Sequence, residues 1–286
     1  MNGVRPVLTD GERRALEVMV DRALAEDLGP DSCDLTEPAL RGHDATADVV
    51  AREAVTVCGL EVAAAVFRAR GVSEYQARVS DGDTVGAGTV LARIEGDAAG
   101  LLSAERVALN FLQRLSGIAS AVQRLAAHAA PAQVYDTRKT TPGLRPLERY
   151  AVRCGGGHNH RFGLYDAAMV KDNHIDICGM ESAVSKIRSA HPAVALTIEV
   201  RTLEELEQAI ALAPELILLD NMSPEELRAA VSVTGGRVVL EASGGVTEKT
   251  IAGIAATGVE RISVGAITHS VHAADIALDV ACHTAG

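Results

Sequence analysis

The chain has 286 residues, of which 48% are hydrophobic and 23% are charged, a balance typical of a globular protein with one large core or two unequal ones. The formal net charge of −11 and the aromatic content of 2% argue against nucleic acid as a partner, because the protein would repel a polyanion and offers few rings for base stacking. No apolar stretch approaches the length of a membrane span, and the first twelve residues contain no apolar signal segment, so we expect a cytoplasmic protein without a membrane partner.

The first third of the chain predicts a mixture of helices and strands. Thr9 and Glu12 have capping-box spacing, and apolar residues follow them at helical intervals, which predicts a first helix. Residues 48–57 predict a strand, and residues 59–70 predict a helix. Residues 103–130 then predict one or two long helices.

A turn-rich stretch at residues 79–96 is similar to the hairpin of biotinyl and lipoyl carrier domains. A carrier domain needs a lysine to bear its cofactor, and this stretch contains none. We therefore interpret it as short strands joined by tight turns, and a non-enzymatic binding or carrier protein remains the weaker alternative.

From about residue 132, short apolar runs recur and helical segments separate the later ones. Thr202 with Glu205, and Ser223 with Pro224 and Glu226, provide helix-start signals. Buried strands that alternate with helices indicate a parallel sheet, and we expect an α/β barrel, with an open doubly wound sheet as the alternative because six strands fall short of the usual eight. The six runs are residues 132–136, 166–172, 195–200, 216–220, 237–245 and 261–266.

Polar residues stand at the carboxyl ends of these predicted strands, where α/β barrels collect their functional groups. This pattern predicts one shared active site. Its members are Asp136 to Lys139, Lys171, Glu199, Asp220, Glu241 to Gly245, and Gly265.

Two glycine-containing segments, Ser243-Gly244-Gly245 and Val264-Gly265-Ala266, follow the last two predicted strands. Glycine lets backbone amides approach a phosphate closely, so we expect a phosphate site here rather than two ordinary turns.

Glu199 and Asp220 end successive strands and should be neighbours. They could serve general acid–base catalysis, a hard divalent cation or the hydroxyls of a ribose, or they could only balance nearby cations.

Residues 136–174 form a cationic segment in an acidic protein. Seven cations face four anions there, a net of +3, which leaves −14 on the remainder of the chain. Such a segment suits a small, multiply anionic substrate. His158, His160 and His174 add donors, and we expect them to serve carboxylates rather than a metal, because neighbouring arginines and lysines would repel a transition metal.

The cysteines and Arg106 are two further features of the sequence. Five scattered cysteines without a CxxC pair predict reduced thiols with neither disulfides nor a zinc site, and Cys154 inside the cationic segment is best explained as a packing residue. If Ser103 caps the long helix, Arg106 falls in its first turn, where a cation is disfavoured by the helix dipole unless it helps to receive an anion.

The chain resembles a known family most clearly at residues 136–174, which read DTRKTTPGLRPLERYAVRCGGGHNHRFGLYDAAMVKDNH. This is similar to the signature of quinolinate phosphoribosyltransferases, also called carboxylating nicotinate-nucleotide pyrophosphorylases. Pro146 is the least usual residue in it and falls at a predicted helix start. The resemblance extends over nearly the whole chain, through EDLGPDSCDLT (26–36), ERVALNFLQRLSGIA (105–119), IEV (198–200), LLDN (218–221), EASGGV (241–246) and SVGAITHS (263–270).

The resemblance implies a reaction of de novo NAD biosynthesis, in which quinolinate and phosphoribosyl pyrophosphate give nicotinate mononucleotide, carbon dioxide and pyrophosphate with Mg²⁺. A related enzyme that acts on another carboxylated ring is the alternative. The residues implied for quinolinate are Arg106, Thr137, Arg138, His160, Arg161 and Lys171. Those implied for phosphoribosyl pyrophosphate are Lys139, Lys171, Glu199, Asp220, Ser243, Gly244, Gly245, Val264, Gly265, Ala266 and His269. Lys139, Lys171, Glu199 and Asp220 would be catalytic, and Glu199 and Asp220 would hold the metal directly or through water.

The resemblance also implies an N-terminal α/β sandwich beside an incomplete, six-stranded α/β barrel, in a homodimer with shared active sites. We place the sandwich at residues 1–115 and the barrel at residues 116–270. We expect residues 271–286 to form a C-terminal helix that packs back on the N-terminal domain.

Overall fold

The computed structural model describes residues 5–72 and 74–281. Within these ranges no helix combines the length and the apolar character needed to cross a bilayer.

The elements up to the long helix are α1 (Asp10–Leu28), β1 (Asp44–Ala51), β2 (Val55–Thr56), α2 (Leu60–Ala69), β3 (Glu74–Ala77), β4 (Thr84–Val85), β5 (Val90–Asp97) and α3 (Ala98–Ala129). The later elements are β6 (Gln133–Tyr135), α4 (Arg145–Cys154), β7 (Ala168–Val170), α5 (Asp172–Cys178), α6 (Met180–Ala190), β8 (Leu196–Val200), α7 (Leu203–Ala211), β9 (Leu216–Asp220), α8 (Pro224–Thr234), β10 (Val239–Ser243), α9 (Ile251–Ala255), β11 (Arg261–Ser263), α10 (Ala266–His269) and β12 (Ile276–Ala281).

The chain divides into two compact units that do not follow the predicted domain boundaries. The first unit contains the residues up to Gln123, Thr140–Gly156 and the residues from Ser270 onward. The second contains Arg124–Lys139 and Gly157–His269. Helix α4, which we expected within the barrel domain, therefore belongs to the first unit.

The first unit is built on a four-stranded antiparallel sheet in the order β12–β1–β5–β3. Helix α1 begins at Thr9 with the predicted capping box, in which the threonine hydroxyl and the Glu12 carboxylate each accept from the other residue's backbone amide. The strand expected at 48–57 is divided into β1 and β2. The turn-rich stretch forms β4 and most of β5, as short strands joined by turns.

The prediction of a C-terminal helix is wrong for residues 276–281, which form β12. This strand pairs antiparallel with β1, with Val49 opposite Leu278. Pairing supplies hydrogen-bond partners for the edge of β1, a requirement that the local sequence does not reveal. The segment does fall in the first unit. Residues 282–286, with Cys282, lie outside the described part of the chain.

Helix α3 begins at Ala98, earlier than predicted, so Ser103 is not its cap. The Ser103 hydroxyl instead lies 3.0 Å from the Gly100 carbonyl oxygen and accepts from Nε of Arg70 at 2.9 Å. Arg106 consequently lies roughly two turns inside the helix, and the argument from the dipole of its first turn does not hold.

Charged residues of helix α4 form ion pairs within the first unit. Arg153 donates to both carboxylate oxygens of Glu12 at 2.8 Å, and this arrangement lowers the pKa of Glu12 although burial opposes the shift. On the same helix the fully buried Glu148 accepts from Arg114 at 2.8 Å. Arg153 of the cationic segment is thereby committed to a structural ion pair, whereas Arg114 lies outside that segment.

A cluster of Cys58, Asp81 and Cys154 lies in the first unit, with their ligand atoms within 4.8 Å of one another. Asp81 accepts from two backbone amides at the start of α2 and from the hydroxyl of Tyr150, so it already caps the helix. Burial raises the pKa of the Cys58 thiol, which keeps it protonated. The four cysteines in the described residues are free, and Cys154 is buried as a packing residue.

The second unit is a six-stranded parallel sheet in the order β6–β11–β10–β9–β8–β7. All six predicted strands are confirmed. From β7 to β11 the order is sequential, and β6 returns beside the last strand, so the sheet has no reversal point of the doubly wound kind. This is the order of an α/β barrel that lacks strands between β6 and β7. Ser223 and Glu226 form a capping box at α8, and Thr202 caps α7.

Candidate active site

A cavity of about 640 Å³ lies in the second unit, at the carboxyl ends of its strands. Residues of all six strands or of the segments that follow them contribute polar side chains to it, as the strand-end pattern predicted. The lining consists of Thr137, Arg138, Lys139, His160, Arg161, Met169, Lys171, Glu199, Leu218, Asp220, Asn221, Glu241, Ser243, Gly244, Gly245 and Ser263.

Strand register explains why these side chains converge. Alternate residues of a strand point to the same face, so Glu241 and Ser243 of β10 share one face. Leu218 stands opposite Glu199 on one side and Glu241 on the other, and Asp220 stands opposite Ser243. On the inner face of the sheet, Glu199 and Glu241 therefore lie at one level along the strands, and Asp220 lies at the next level.

Four cations line the cavity: Arg138, Lys139, Arg161 and Lys171. Burial lowers the pKa of the Arg161 guanidinium, and the neighbouring charge of Arg138 lowers it further, while Asp166 and Glu199 oppose the shift. An anion bound between two guanidinium groups that repel each other in a partly buried site lowers their electrostatic free energy. The guanidinium of Arg161 is oriented by donation from Nη1 to the carbonyl of Ala167 at 2.9 Å.

The ammonium of Lys171 lies 2.5 Å from Oε2 of Glu199. Glu199 is buried at the end of β8, whereas the Lys171 side chain is 43% exposed. Lys171 can therefore reach a bound anion while Glu199 holds its position. Asp220, at the end of the next strand, accepts from the side-chain amide of Asn221 at 2.9 Å.

The histidine segment is fixed beside β6 by the buried carboxylate of Asp136. That carboxylate accepts from the backbone amide of His160 at 2.6 Å and from Nδ2 of Asn159 at 2.7 Å. His158 stacks on Tyr135 with 5.2 Å between ring centroids, and Nδ1 of His174 accepts from the backbone amide of Lys171. Of the three histidines, only His160 lines the cavity.

Gly244 and Gly245 directly follow β10, and we call this turn the glycine corner. Its backbone passes close to Asn221. Gly244 has a φ of +99°, and a Cβ added there would lie 2.0 Å from Oδ1 of Asn221. Only glycine fits this position. The backbone amide of Asn221 donates to the Ser243 carbonyl at 2.8 Å, which ties the ends of β9 and β10 together.

We expect Gly244→Ala to lower activity by at least about tenfold and to destabilise the fold by roughly 1–3 kcal/mol, because alanine is strained at this φ and collides with Asn221. Steady-state kinetics and thermal unfolding would measure the two effects. The matched control is Gly253→Ala on α9, where a Cβ meets nothing within 4 Å. Equal behaviour of the two variants would contradict a steric requirement at Gly244.

The second glycine segment follows β11 and adjoins Lys139. A Cβ added at Gly265 would lie 3.0 Å from Cδ of Lys139 and 3.1 Å from Nε2 of His269. The hydroxyl of Thr268 also lies 2.8 Å from the Lys139 carbonyl oxygen. The segment from Gly265 to His269 therefore packs against Lys139, which lines the cavity.

The cavity brings together most of the predicted site residues. Eleven of them line it: Thr137, Arg138, Lys139, His160, Arg161, Lys171, Glu199, Asp220, Ser243, Gly244 and Gly245. Four others follow β11 outside the lining: Val264, Gly265, Ala266 and His269. Arg106 lies in the first unit, with its side chain 59% exposed and 4.0 Å from Glu105.

Asp136, Asn221 and Glu241 shape the site but were assigned no individual role from the sequence, and the same holds for three further lining residues, Met169, Leu218 and Ser263. Asp136 and Glu241 were visible as charged strand ends, but their complete burial was not. Asn221 has a left-handed φ of 56°, a conformation that asparagine tolerates better than most residues. Its position directly after Asp220 was the available signal.

Family models match two consecutive parts of the chain. Residues 34–116 match the N-terminal domain of quinolinate phosphoribosyl transferase, and residues 118–279 match its C-terminal domain. Together these matches include every residue that lines the cavity.

Named relatives and solved structures agree with the family models. The chain is 41% identical to a probable carboxylating nicotinate-nucleotide pyrophosphorylase of Bacillus subtilis over 93% of both chains. It is 42% identical to the carboxylating nicotinate-nucleotide pyrophosphorylase of Mycobacterium leprae, over 96% of this chain and 100% of that protein. The structure of the nicotinate-nucleotide pyrophosphorylase from Francisella tularensis superposes with a TM-score of 0.90 at 37% identity, over 98% of this chain and 100% of that one.

Proposed function

The chain belongs to the quinolinate phosphoribosyltransferase family, and we propose on this basis that it transfers the phosphoribosyl group of phosphoribosyl pyrophosphate to quinolinate with decarboxylation. The products are nicotinate mononucleotide, pyrophosphate and carbon dioxide, which makes the protein a pentosyltransferase of NAD biosynthesis. The observation that carries this proposal is one cavity that combines four cations, two strand-end carboxylates and a glycine corner.

The cations of the cavity suit a dicarboxylate. Arg138 and Arg161 provide planar forks for carboxylate oxygens, and Lys171 adds a third positive charge. Thr137 and His160 complete the lining on this side. A ring with two adjacent carboxylates would relieve the repulsion between the two guanidinium groups more fully than a monocarboxylate would, because it brings a second negative charge.

The remaining groups suit phosphoribosyl pyrophosphate. Lys139 and Lys171 would receive its pyrophosphate, and the backbone of Gly244 and Gly245 would receive its 5′-phosphate. Val264, Gly265, Ala266 and His269 adjoin Lys139 and would extend this phosphate site. The ribose hydroxyls would be bound by Glu199 and Asp220.

Mg²⁺ is the metal that these residues fit best. Glu199 and Asp220 supply hard carboxylate oxygens in a cavity that would also hold phosphates, and Mg²⁺ is usually bound by one or two carboxylates together with substrate phosphates. When bound, the ion would stabilise the negative charge that develops on the leaving pyrophosphate.

The chemistry proceeds in two stages. As the bond between C1 of the ribose and pyrophosphate breaks, its electron pair leaves with the pyrophosphate, whose charge Lys139 and Lys171 stabilise, while Glu199 and Asp220 stabilise the oxocarbenium-like ribose. The ring nitrogen of quinolinate then donates its lone pair to C1. The resulting pyridinium accepts the electron pair of the adjacent C–CO₂⁻ bond as carbon dioxide departs, and a proton then replaces the carboxyl group.

We propose a homodimer with shared active sites as the working form. Arg106, which lies in the first unit and outside the cavity lining, would act in the partner's active site. Its guanidinium is exposed, and the ion pair it forms within the described part of the chain is a long one to Glu105, so the side chain is available for such a role.

Product analysis tests the proposed function. Purified protein incubated with Mg²⁺, quinolinate and phosphoribosyl pyrophosphate should release carbon dioxide and nicotinate mononucleotide in equal amounts, and a chelator should abolish both. Nicotinate and other monocarboxylated or differently carboxylated rings serve as competing substrates. Turnover of nicotinate or of another ring without turnover of quinolinate would refute the assignment.

A further inference from the structure

Glu241 is a buried carboxylate whose role the proposed chemistry leaves open. Its side chain has no exposed surface, and among the described residues neither of its oxygens accepts a hydrogen bond. Most buried polar groups in proteins are hydrogen-bonded, because leaving one without a partner is costly. A carboxylate kept in this state in the interior of a barrel therefore calls for an explanation.

The carboxylate faces the imidazole of His160. Nε2 of His160 lies 3.3 Å from Oε1 of Glu241, but the N–H direction is not aligned for a good hydrogen bond. Hydrogen bonds in a site without substrate are often misaligned in this way and tighten when substrate binds.

The other ring nitrogen identifies the tautomer. Nδ1 of His160 accepts from the backbone amide of Arg161 at 2.9 Å, so its lone pair is occupied and it carries no proton. The proton of a neutral imidazole is then on Nε2, directed toward Glu241. Both ring nitrogens thereby face groups of the protein, and the ring links Glu241 to the backbone of Arg161.

The main chain of this segment is held separately. Asp136 accepts from the backbone amide of His160 and from the side chain of Asn159, so the position of the segment does not depend on Glu241. What Glu241 can control is the orientation of the imidazole and, through Nδ1, the amide of Arg161. The guanidinium of the same residue lies in the cavity beside Arg138.

We propose that Glu241 is a positioning residue that acts through His160: it holds the imidazole proton on Nε2 and so keeps Nδ1 as the acceptor that orients Arg161 toward the anionic ring substrate. The part concerning Arg161 and substrate rests on the proposed function, whereas the part concerning the tautomer does not. Glu241 lies one layer below Ser243 on the same face of β10, beneath the cations that receive the substrate.

The test compares two replacements of Glu241. Glu241→Gln keeps an oxygen that can accept from Nε2, and Glu241→Leu removes the acceptor. We expect Glu241→Leu to raise KM for quinolinate roughly 10- to 100-fold, the effect of losing a residue that orients a site histidine, with KM for phosphoribosyl pyrophosphate within about threefold. Glu241→Gln should stay within about fivefold of wild type for both substrates. Should the leucine variant fail to fold, the unbranched Glu241→Met takes its place.

Two further measurements separate positioning from a structural role. Nitrogen NMR of the His160 ring should report the Nε2-protonated tautomer in wild type and in Glu241→Gln, and a mixture of tautomers in the leucine variant. In a double-mutant cycle, the variant that combines His160→Phe with Glu241→Leu should have the same KM for quinolinate as His160→Phe alone. This is expected because both changes interrupt the same connection between Glu241 and His160. Thr197→Val, a near-isosteric change at another buried polar residue of the sheet, is the control and should match wild type.

Three outcomes would overturn the inference: additive losses in the cycle, an unchanged tautomer in the leucine variant, or equal increases in both KM values. If wild type fails to turn over quinolinate, the proposed function is refuted, and the NMR measurement still decides whether Glu241 sets the state of His160.

Discussion

Replacing Arg161 by alanine is expected to reduce kcat/KM for quinolinate by roughly 30-fold to several thousand-fold, corresponding to about 2–5 kcal/mol for truncating one partner of a buried charge pair. The guanidinium is partly buried, fixed by the Ala167 carbonyl and adjacent to Arg138. Without it, one substrate carboxylate would enter the cavity unpaired. Most of the loss should appear in KM for quinolinate, with little change in KM for phosphoribosyl pyrophosphate.

Two companion variants define the cause of this loss. Arg161→Lys keeps the charge but not the planar fork, and it should recover only part of the activity. Arg228→Ala removes an exposed arginine whose partner is Glu225 at 3.2 Å on the same helix, and it should leave the kinetics unchanged. An Arg161→Ala enzyme with wild-type constants, or one altered only toward phosphoribosyl pyrophosphate, would contradict the placement of quinolinate beside this residue.

Mixing two inactive variants is expected to restore activity. Arg106→Ala and Lys139→Ala homodimers should each be nearly inactive, because each lacks one cation in every active site. If Arg106 acts in the partner's site, a heterodimer contains one doubly damaged site and one intact site. Random reassembly makes half of the dimers heterodimers, so recovery should approach about a quarter of wild-type sites.

The controls are each variant unfolded and reassembled alone, which should remain inactive, and wild type treated in the same way, which should recover its activity. The fraction of dimers is measured in parallel by light scattering. Absence of recovery in a mixture that reassembles into dimers would show that Arg106 acts within its own chain or not at all.

The sequence was most informative where local rules decide the structure. Strand ends such as Glu199 and Asp220 could be assigned to one edge of a sheet because parallel strands with helical crossovers place their carboxyl ends together. Helix starts such as Ser223 were likewise predictable, because a cap and its acceptor lie three residues apart.

The sequence was least informative where the local structure depends on contacts with residues that are far away in the chain. The positive charge of residues 136–174 suggested a single anion site, yet Arg153 is committed to Glu12, which is remote in sequence. The strand at 276–281 exists because β1 offers it an edge, and no local pattern encodes that pairing. The burial of Glu241 beneath the cations depends on register with neighbouring strands, which periodicity alone does not fix.

The path of the chain between its two compact units has a consequence for how the chain can be divided. The chain leaves the barrel directly after Lys139, builds α4 in the other unit and returns at Gly157, so the unit boundary is crossed at four points: 123/124, 139/140, 156/157 and 269/270. A single cut near residue 117, where the two family models meet, therefore does not release either unit intact. Each unit is therefore assembled from separate stretches of the chain, so a fragment that ends near residue 117 would lack part of the unit it is meant to contain.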